Sequence, residues 1–429
     1  MKPHHIAMLN ACVIGIGAGT AATVLTQAVA WLGEQRLHFA AQYGSWIVLP
    51  LVGGVAGLIG GLIVTKLPNA SGSGIPQVKA SLIAQPQGMD LRTAMMKLVG
   101  GIITIGCGFL MGREGPTVHV GAALSVAINE RSRTTKEHER LLVAAGAGAG
   151  LAAAFNAPLA GVFFVLEELL KEISSRTIGT AVLACFVASV ASHALHGDES
   201  VRHLPTAAAN ANFTAVEIPA YILLGVAAGV LGALFNRFVM WSLKFNRDIF
   251  KAPPTVRICA AGIVTGLLVA ALPTQFHDYA GMRAHLIYGG TTLPHSIIAF
   301  GIFFTLTVIA YGSGAPGGLF APALSMGACI GHVFGLIQHM FQASAPLDTF
   351  ALVGMGAMFA SVARVPITAI VIVFEMTQNF NIVLPLMLGC IVASNVADQL
   401  YPNSIYDRLV EWSNLIPKET AKAADEHAV

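Results

Sequence analysis

Of the 429 residues, 55% are hydrophobic and only 11% are charged, against roughly 25% charged in ordinary soluble domains. With a mean hydropathy of +0.70 this excludes a soluble globular fold. Twenty-four Lys and Arg against 22 Asp and Glu leave a formal charge of +2, so nothing in the charge balance points to a nucleic-acid partner.

Apolar runs fall near residues 6–32, 46–66, 93–111, 141–166, 177–196, 217–242, 257–272, 297–311, 317–337, 350–374 and 383–397. Barrel strands would be alternating segments of about 10 residues, so these runs predict helices and an all-α polytopic membrane protein. Several are shorter than the roughly 20 residues needed to cross a bilayer, and many are interrupted by Gly or Pro, which predicts broken, partly inserted helices. The first run, to Ala30, exceeds the roughly 7 to 15 residues of a signal-peptide core and is read as an uncleaved helix.

Basic residues set an orientation under the positive-inside rule. The segments Arg131 to Arg140, Lys171 to Arg176 and Lys244 to Arg257 are placed in the cytoplasm, and Gly197 to Glu217 outside. Both termini are then cytoplasmic. The tail, residues 413–429, is too short for a folded regulatory domain such as a CBS pair. The six cysteines lie inside apolar runs without metal-ligand spacing and read as small buried hydrophobes.

The chain repeats itself. An offset of 208 matches Gly146 with Gly354, Gly148 with Gly356, Ala149 with Ala357, Pro158 with Pro366 and Glu167 with Glu375. An offset of 206 matches Gly112, Pro116, Gly121 and Ala122 with Gly318, Pro322, Gly327 and Ala328. Two related halves in one hydrophobic chain are the mark of transporter-type folds, whose sites lie near mid-membrane at the repeat interface. Residues 1–200 are assigned to the first repeat and 217–412 to the second. A carboxylate kept in both halves, such as Glu167, suits a structural job. Glu168 corresponds to Met376 and Glu114 to Phe320, and this asymmetry is where chemistry is expected. An ionisable group at membrane depth is costly and marks a functional site by default.

Three segments punctuated by Gly and Pro each precede a helical run: Gly72-Ser73-Gly74-Ile75-Pro76, Gly112-Arg113-Glu114-Gly115-Pro116 and Gly318-Leu319-Phe320-Ala321-Pro322. Helix N-termini expose unpaired N–H groups and carry roughly +0.5 charge, so several converging ones make an anion site without any full positive charge. A fourth segment, Gly312-Ser313-Gly314-Ala315-Pro316, resembles the first, and spacing alone leaves open whether Ser73 or Ser313 faces the ion. An intramembrane hydrolase using one of these serines with His119 would need a paired base, and no such motif is present.

These segments resemble the three signature motifs of the CLC chloride channel and transporter family. The similarity runs from about Ala70 to Leu409 and takes in the stretch from Gly150 to Gly161, Phe374-Glu375-Met376-Thr377 and Tyr406. The resemblance implies two inverted repeats with broken and re-entrant helices, and a homodimer with an anion pathway in each subunit; the compact chain and the missing cytoplasmic domain suggest a bacterial inner membrane. By motif match, the hydroxyls of Ser73 and Tyr406 and the N–H groups of Leu319 and Phe320 would hold chloride; apart from the family, Tyr406 reads as an interfacial anchor. Glu114 would be the gate, occupying an anion position when charged and leaving it when protonated. Gly72, Gly74, Pro76, Gly112, Arg113, Gly115, Pro116, Gly318 and Pro322 support these loops. Lys97 matches a family lysine, and His119 stands where a glutamine is expected. The serine motif departs from the fluoride-selective branch.

The family holds both passive channels and proton-coupled antiporters. Glu168 matches the internal proton-transfer residue of the exchangers, and Glu167 a position lining the proton's entrance. The expected function is therefore H+/Cl− antiport, with a passive voltage- or pH-gated chloride channel as the alternative. Chloride and protons are substrate ions, and neither a cofactor nor a metal is implied.

Overall fold

The computed structural model describes residues 3–83, 88–132, 136–172, 174–196, 215–279, 281–282, 286, 292–340, 347–413 and 415. The stretch expected to form the first repeat contains α1 (Pro3–Tyr43), α2 (Ser45–Lys66), α3 (Ile75–Ile83), α4 (Leu91–Gly106), α5 (Glu114–Asn129), α6 (Lys136–Phe155), α7 (Pro158–Phe164) and α8 (Ser175–His196). The stretch expected to form the second contains α9 (Ile218–Lys244), α10 (Pro254–Ala270), α11 (Leu293–Gly312), α12 (Phe320–Met340), α13 (Leu347–Ala363), α14 (Pro366–Thr377), α15 (Val383–Leu400) and α16 (Ile405–Ser413). Most of the expected external loop and of the C-terminal tail lie outside the described residues.

Among the described residues, seven helical stretches are long and apolar enough to cross a membrane. Others, including Pro254–Ala270, Leu347–Ala363 and Pro366–Thr377, are apolar but shorter. The 41 residues of α1 would span about 60 Å at 1.5 Å per residue, twice the hydrocarbon core, so α1 must tilt or protrude. The helices α5 and α3 lie outside the apolar runs read from sequence. Each begins at one of the Gly-Pro segments, and most of the residues of each are buried.

Two of the apolar runs are each two helices, and both break in the same way. In the first repeat Asn156 is left-handed at φ 52°, Ala157 is non-helical and Pro158 opens α7; in the second Arg364 is left-handed at φ 61°, Val365 is non-helical and Pro366 opens α14. A left-handed residue ends a helix, and proline, with its fixed φ and no N–H to satisfy, starts the next. α7 runs on from Val165 to Leu170 as a wider π turn that ends at left-handed Lys171; α14 ends at left-handed Gln378.

The matched glycines make matched crossings. A methyl group on Gly121 of α5 would stand 2.8 Å from the Gly146 carbonyl carbon of α6, and one on Gly327 of α12 would stand 2.7 Å from that of Gly354 on α13. Side chains larger than hydrogen would force these helices apart. The repeats meet where Gly112 and Gly318 form an isolated antiparallel bridge, and the loops carrying it face the helix starts of α5 and α12.

Candidate functional site

Glu114 is the first residue of α5, and its side chain is wholly buried. The carboxylate folds back over Gly112 and reaches the start of α12, where Oε1 accepts the Ala321 N–H at 2.9 Å and the Phe320 N–H is also directed at it. Oε2 has no hydrogen-bond partner in the protein. A carboxylate is thus seated on the unpaired donors of a helix N-terminus, a place whose field favours negative charge. The donors that hold this carboxylate are those of Phe320 and Ala321.

Ser73 sits between two glycines in the left-handed region, Gly72 at φ +64° and Gly74 at φ +92°, which lets the loop turn sharply into α3. Its hydroxyl is buried without a well-formed hydrogen bond, although the Tyr311 hydroxyl of α11 is directed toward it. The loop is held from both repeats. Gly317 N–H donates to Gly72 O at 3.2 Å, Ser71 Oγ to Gly314 O at 2.8 Å and Lys97 Nζ to Ser71 O at 3.1 Å. α5 begins directly against it: a methyl group on Gly115 would stand 2.5 Å from Ser73 O.

The geometry separates the two serines that spacing left equivalent. Ser313 Oγ donates to Ala310 O at 2.7 Å within the last turn of α11, so its proton is occupied, while the Ser73 hydroxyl has bonding capacity left for a ligand. His119 packs its ring under Gly74, with Nε2 3.1 Å from Gly88 O. That contact supports the loop from below.

Tyr406, second residue of α16, is fully buried and lies within electrostatic reach of both Glu114 and Glu168, as well as of Tyr311. Its ring centroid is 6.0 Å from that of Phe320, and Phe320 is packed in turn on Phe359 at 4.2 Å, Phe164 at 5.8 Å and Phe155 at 6.2 Å. An aromatic group therefore surrounds the start of α12 on the side facing α7, the helix that leads to Glu168.

Glu167 and Glu375 do the same thing in opposite directions. Glu167 accepts the N–H groups of Ile367 at 3.0 Å and Thr368 at 2.8 Å, at the start of α14; Glu375 accepts those of Leu159 at 3.0 Å and Ala160 at 2.8 Å, at the start of α7. Each carboxylate satisfies donors that a helix N-terminus leaves unpaired. Glu167, expected from the resemblance at the proton's entrance, thus has both oxygens engaged as a helix cap, with Thr368 Oγ1 adding a bond at 2.7 Å.

Sequence reasoning missed the partners of Glu168. Lys79 Nζ of α3 lies 2.6 Å from Glu168 Oε1 and 2.5 Å from Asp407 Oδ1 of α16, and Ser404 Oγ bridges the two carboxylates at 3.5 Å and 3.0 Å. The signal was present: a lysine among the apolar residues of Ile75–Ile83 needs a carboxylate if it is buried. Only the fold says which one.

Packed, broken helices in inverted repeats, with a carboxylate seated at a helix start between them, define a polytopic membrane protein of the transporter type. The chain belongs to the voltage gated chloride channel family, whose pattern matches residues 56–398. It is 34% identical over 417 residues to the H+/Cl− exchange transporter ClcA of Vibrio cholerae, covering 93% of this chain and 87% of that one. The ClcA exchange transporter of Cronobacter sakazakii is 32% identical over 420 residues, 94% of this chain and 89% of that one. Among solved structures, a slow cyanobacterial Cl−/H+ antiporter superposes with a TM-score of 0.88 at 30% identity, over 96% of this chain and 99% of that one. A eukaryotic CLC transporter at 23% identity shares the fold, with a TM-score of 0.82 over 95% of this chain and 74% of that one.

Proposed function

We propose that this chain exchanges chloride for protons across a bacterial inner membrane, as a homodimer with one anion pathway per subunit and both termini in the cytoplasm. The carrying observation is the Glu114 carboxylate on the N–H donors at the start of α12. A carboxylate that binds where an anion would bind is a competitor of that anion. Protonation removes its charge and its claim on the donors, and chloride takes the vacated place.

In this reading the anion moves between those donors and a second position held by the hydroxyls of Ser73 and Tyr406 with the N–H groups of Leu319 and Phe320. Dipoles and hydroxyls hold a dehydrated anion without trapping it, since no full positive charge need touch it. Arg113 and Lys97 raise the local potential from behind the loops. Glu168 accepts protons on the cytoplasmic side, and Tyr406, in reach of both glutamates, stands between the two proton carriers. The exchange activity named for the bacterial relatives supports coupling over passive conduction.

The test is the reversal potential of purified protein in liposomes under crossed chloride and pH gradients. Exchange is expected to drive protons uphill on a chloride gradient. A potential that follows the chloride gradient alone, with chloride flux intact, would establish a passive channel instead.

A further inference from the structure

Glu168 does not stand alone. Lys79, Glu168 and Asp407 form a buried group of one ammonium and two carboxylates, with side-chain exposures of 6%, 3% and 30%. Counted without Lys171, whose largely exposed ammonium is screened by solvent, the buried group carries a formal charge of −1. Burying ions is costly unless charge is balanced and every lone pair is used, and among these three buried groups one negative charge is left over. A single proton would make the group neutral.

The surroundings decide where that proton sits. Asp407 is the more exposed carboxylate, accepts from Ser404 Oγ at 3.0 Å and has the Nζ of Lys171, whose side chain is 58% exposed, 3.9 Å away. Glu168 has the weaker 3.5 Å contact with Ser404 and is shut off from solvent. The charged and titratable groups facing it are Lys79 from α3, Asp407 and Tyr406 from α16, and Lys171 at the end of its own helix.

Resting on the exchange reading, we propose that Lys79 and Asp407 form the loading device of the proton pathway, holding the group one proton short of neutrality so that Glu168 takes up one proton per cycle. In the unloaded state Lys79 is shared between the two carboxylates. When a proton from cytoplasmic water binds a Glu168 oxygen, that carboxylate becomes a neutral carboxyl, and Lys79 keeps Asp407 as its counter-ion. No bond other than O–H forms, and the ammonium keeps all its protons. Release of the proton toward Tyr406 and Glu114 restores the −1 state. Lys79 is also mechanically placed to report this change, because α3 begins just after Ser73 and α16 carries Tyr406 beside Asp407.

The test varies the charge count. Asp407→Asn makes the unloaded group neutral, so protonating Glu168 would leave a buried positive charge. Lys79→Met makes the group −2, so that Glu168 keeps its proton. Each variant, in liposomes beside the wild-type chain, is expected to lower proton flux relative to chloride flux by about tenfold or more, the effect of a barrier raised by 1.36 kcal/mol or more. The double variant Lys79→Met with Asp407→Asn restores the −1 count and is expected to recover part of the lost coupling, which a merely structural clamp would not do.

A wild-type proton-to-chloride ratio in either single variant overturns the proposal, as does a double variant no better coupled than both singles. If Lys79→Met fails to assemble, Asp407→Asn decides alone, since it keeps the Lys79 to Glu168 pair and alters a partly exposed side chain. A wild-type chain that moves chloride without protons would sink the exchange reading itself, an outcome separate from variants that leave an existing proton flux unchanged.

Discussion

The main-chain N–H of Gly112 donates to the carbonyl of Gly318 at 2.8 Å, and the Gly318 N–H returns the bond to Gly112 at 2.6 Å. These two glycines are also equivalent positions of the two repeats. A reciprocal antiparallel bond between equivalent residues places the local two-fold axis of the fold at the gate motif. Glu114, two residues past Gly112, crosses this axis to reach the start of α12, and its counterpart Phe320 supplies a donor instead of a second carboxylate. In the proposed function, one anion competitor therefore serves a site that both repeats build.

Replacing Glu114 with Gln is expected to keep chloride flux, to abolish proton-coupled transport and to remove most of the pH dependence of anion flux. Glutamine is neutral at every pH and cannot compete as an anion. Paired chloride-electrode and pH-electrode recordings on liposomes check this, and coupling retained in the variant would refute the gating role.

Ser73→Ala is expected to weaken chloride binding by about tenfold to a hundredfold, because a hydrogen bond to a charged group contributes roughly 1.5–3 kcal/mol. Ser313→Ala should leave the affinity unchanged, since its hydroxyl is already bonded to Ala310 O. Isothermal titration of chloride into detergent-solubilised protein compares the two. Equal losses would show that the Ser73 hydroxyl has no special claim on the anion.

Glu167→Ala and Glu375→Ala should destabilise the protein by similar amounts, about 0.5–2 kcal/mol each, the usual effect of removing a helix cap. Thermal unfolding in detergent is the measurement. A Glu167 variant that kept its stability yet lost proton coupling would assign that residue to proton entry and not to capping.

Gly115→Ala pushes a methyl group into Ser73 O, with 2.5 Å between them before relaxation. Overpacking of this kind costs about 1–3 kcal/mol. The expected result is a lower unfolding temperature together with weaker chloride binding, because the gate helix and the serine loop are forced apart. Wild-type affinity in a destabilised variant would mean that the loop tolerates the shift.

Much of this protein is written in local patterns. Composition and run lengths give a helical membrane protein and Gly-Pro punctuation gives the helix starts, because each depends on residues near one another in sequence and on the cost of unpaired backbone in lipid; the repeats are read by setting two such local patterns side by side. The asymmetry of Glu114 and Glu168 against Phe320 and Met376 could be read in the same way. Other features are relations across the fold. Spacing could not separate Ser73 from Ser313; that difference is whether a hydroxyl bonds its own helix or is left buried with bonding capacity to spare. Lys79 meets Glu168 across 89 residues and Asp407 across 328, and Glu167 caps a helix 200 residues away. Burial makes an ion or a helix end require a partner, but any of several carboxylates could have met that requirement. Only the tertiary packing decided which one does, within one half of the chain for Lys79 and Glu168 and between the halves for Asp407 and the two helix caps.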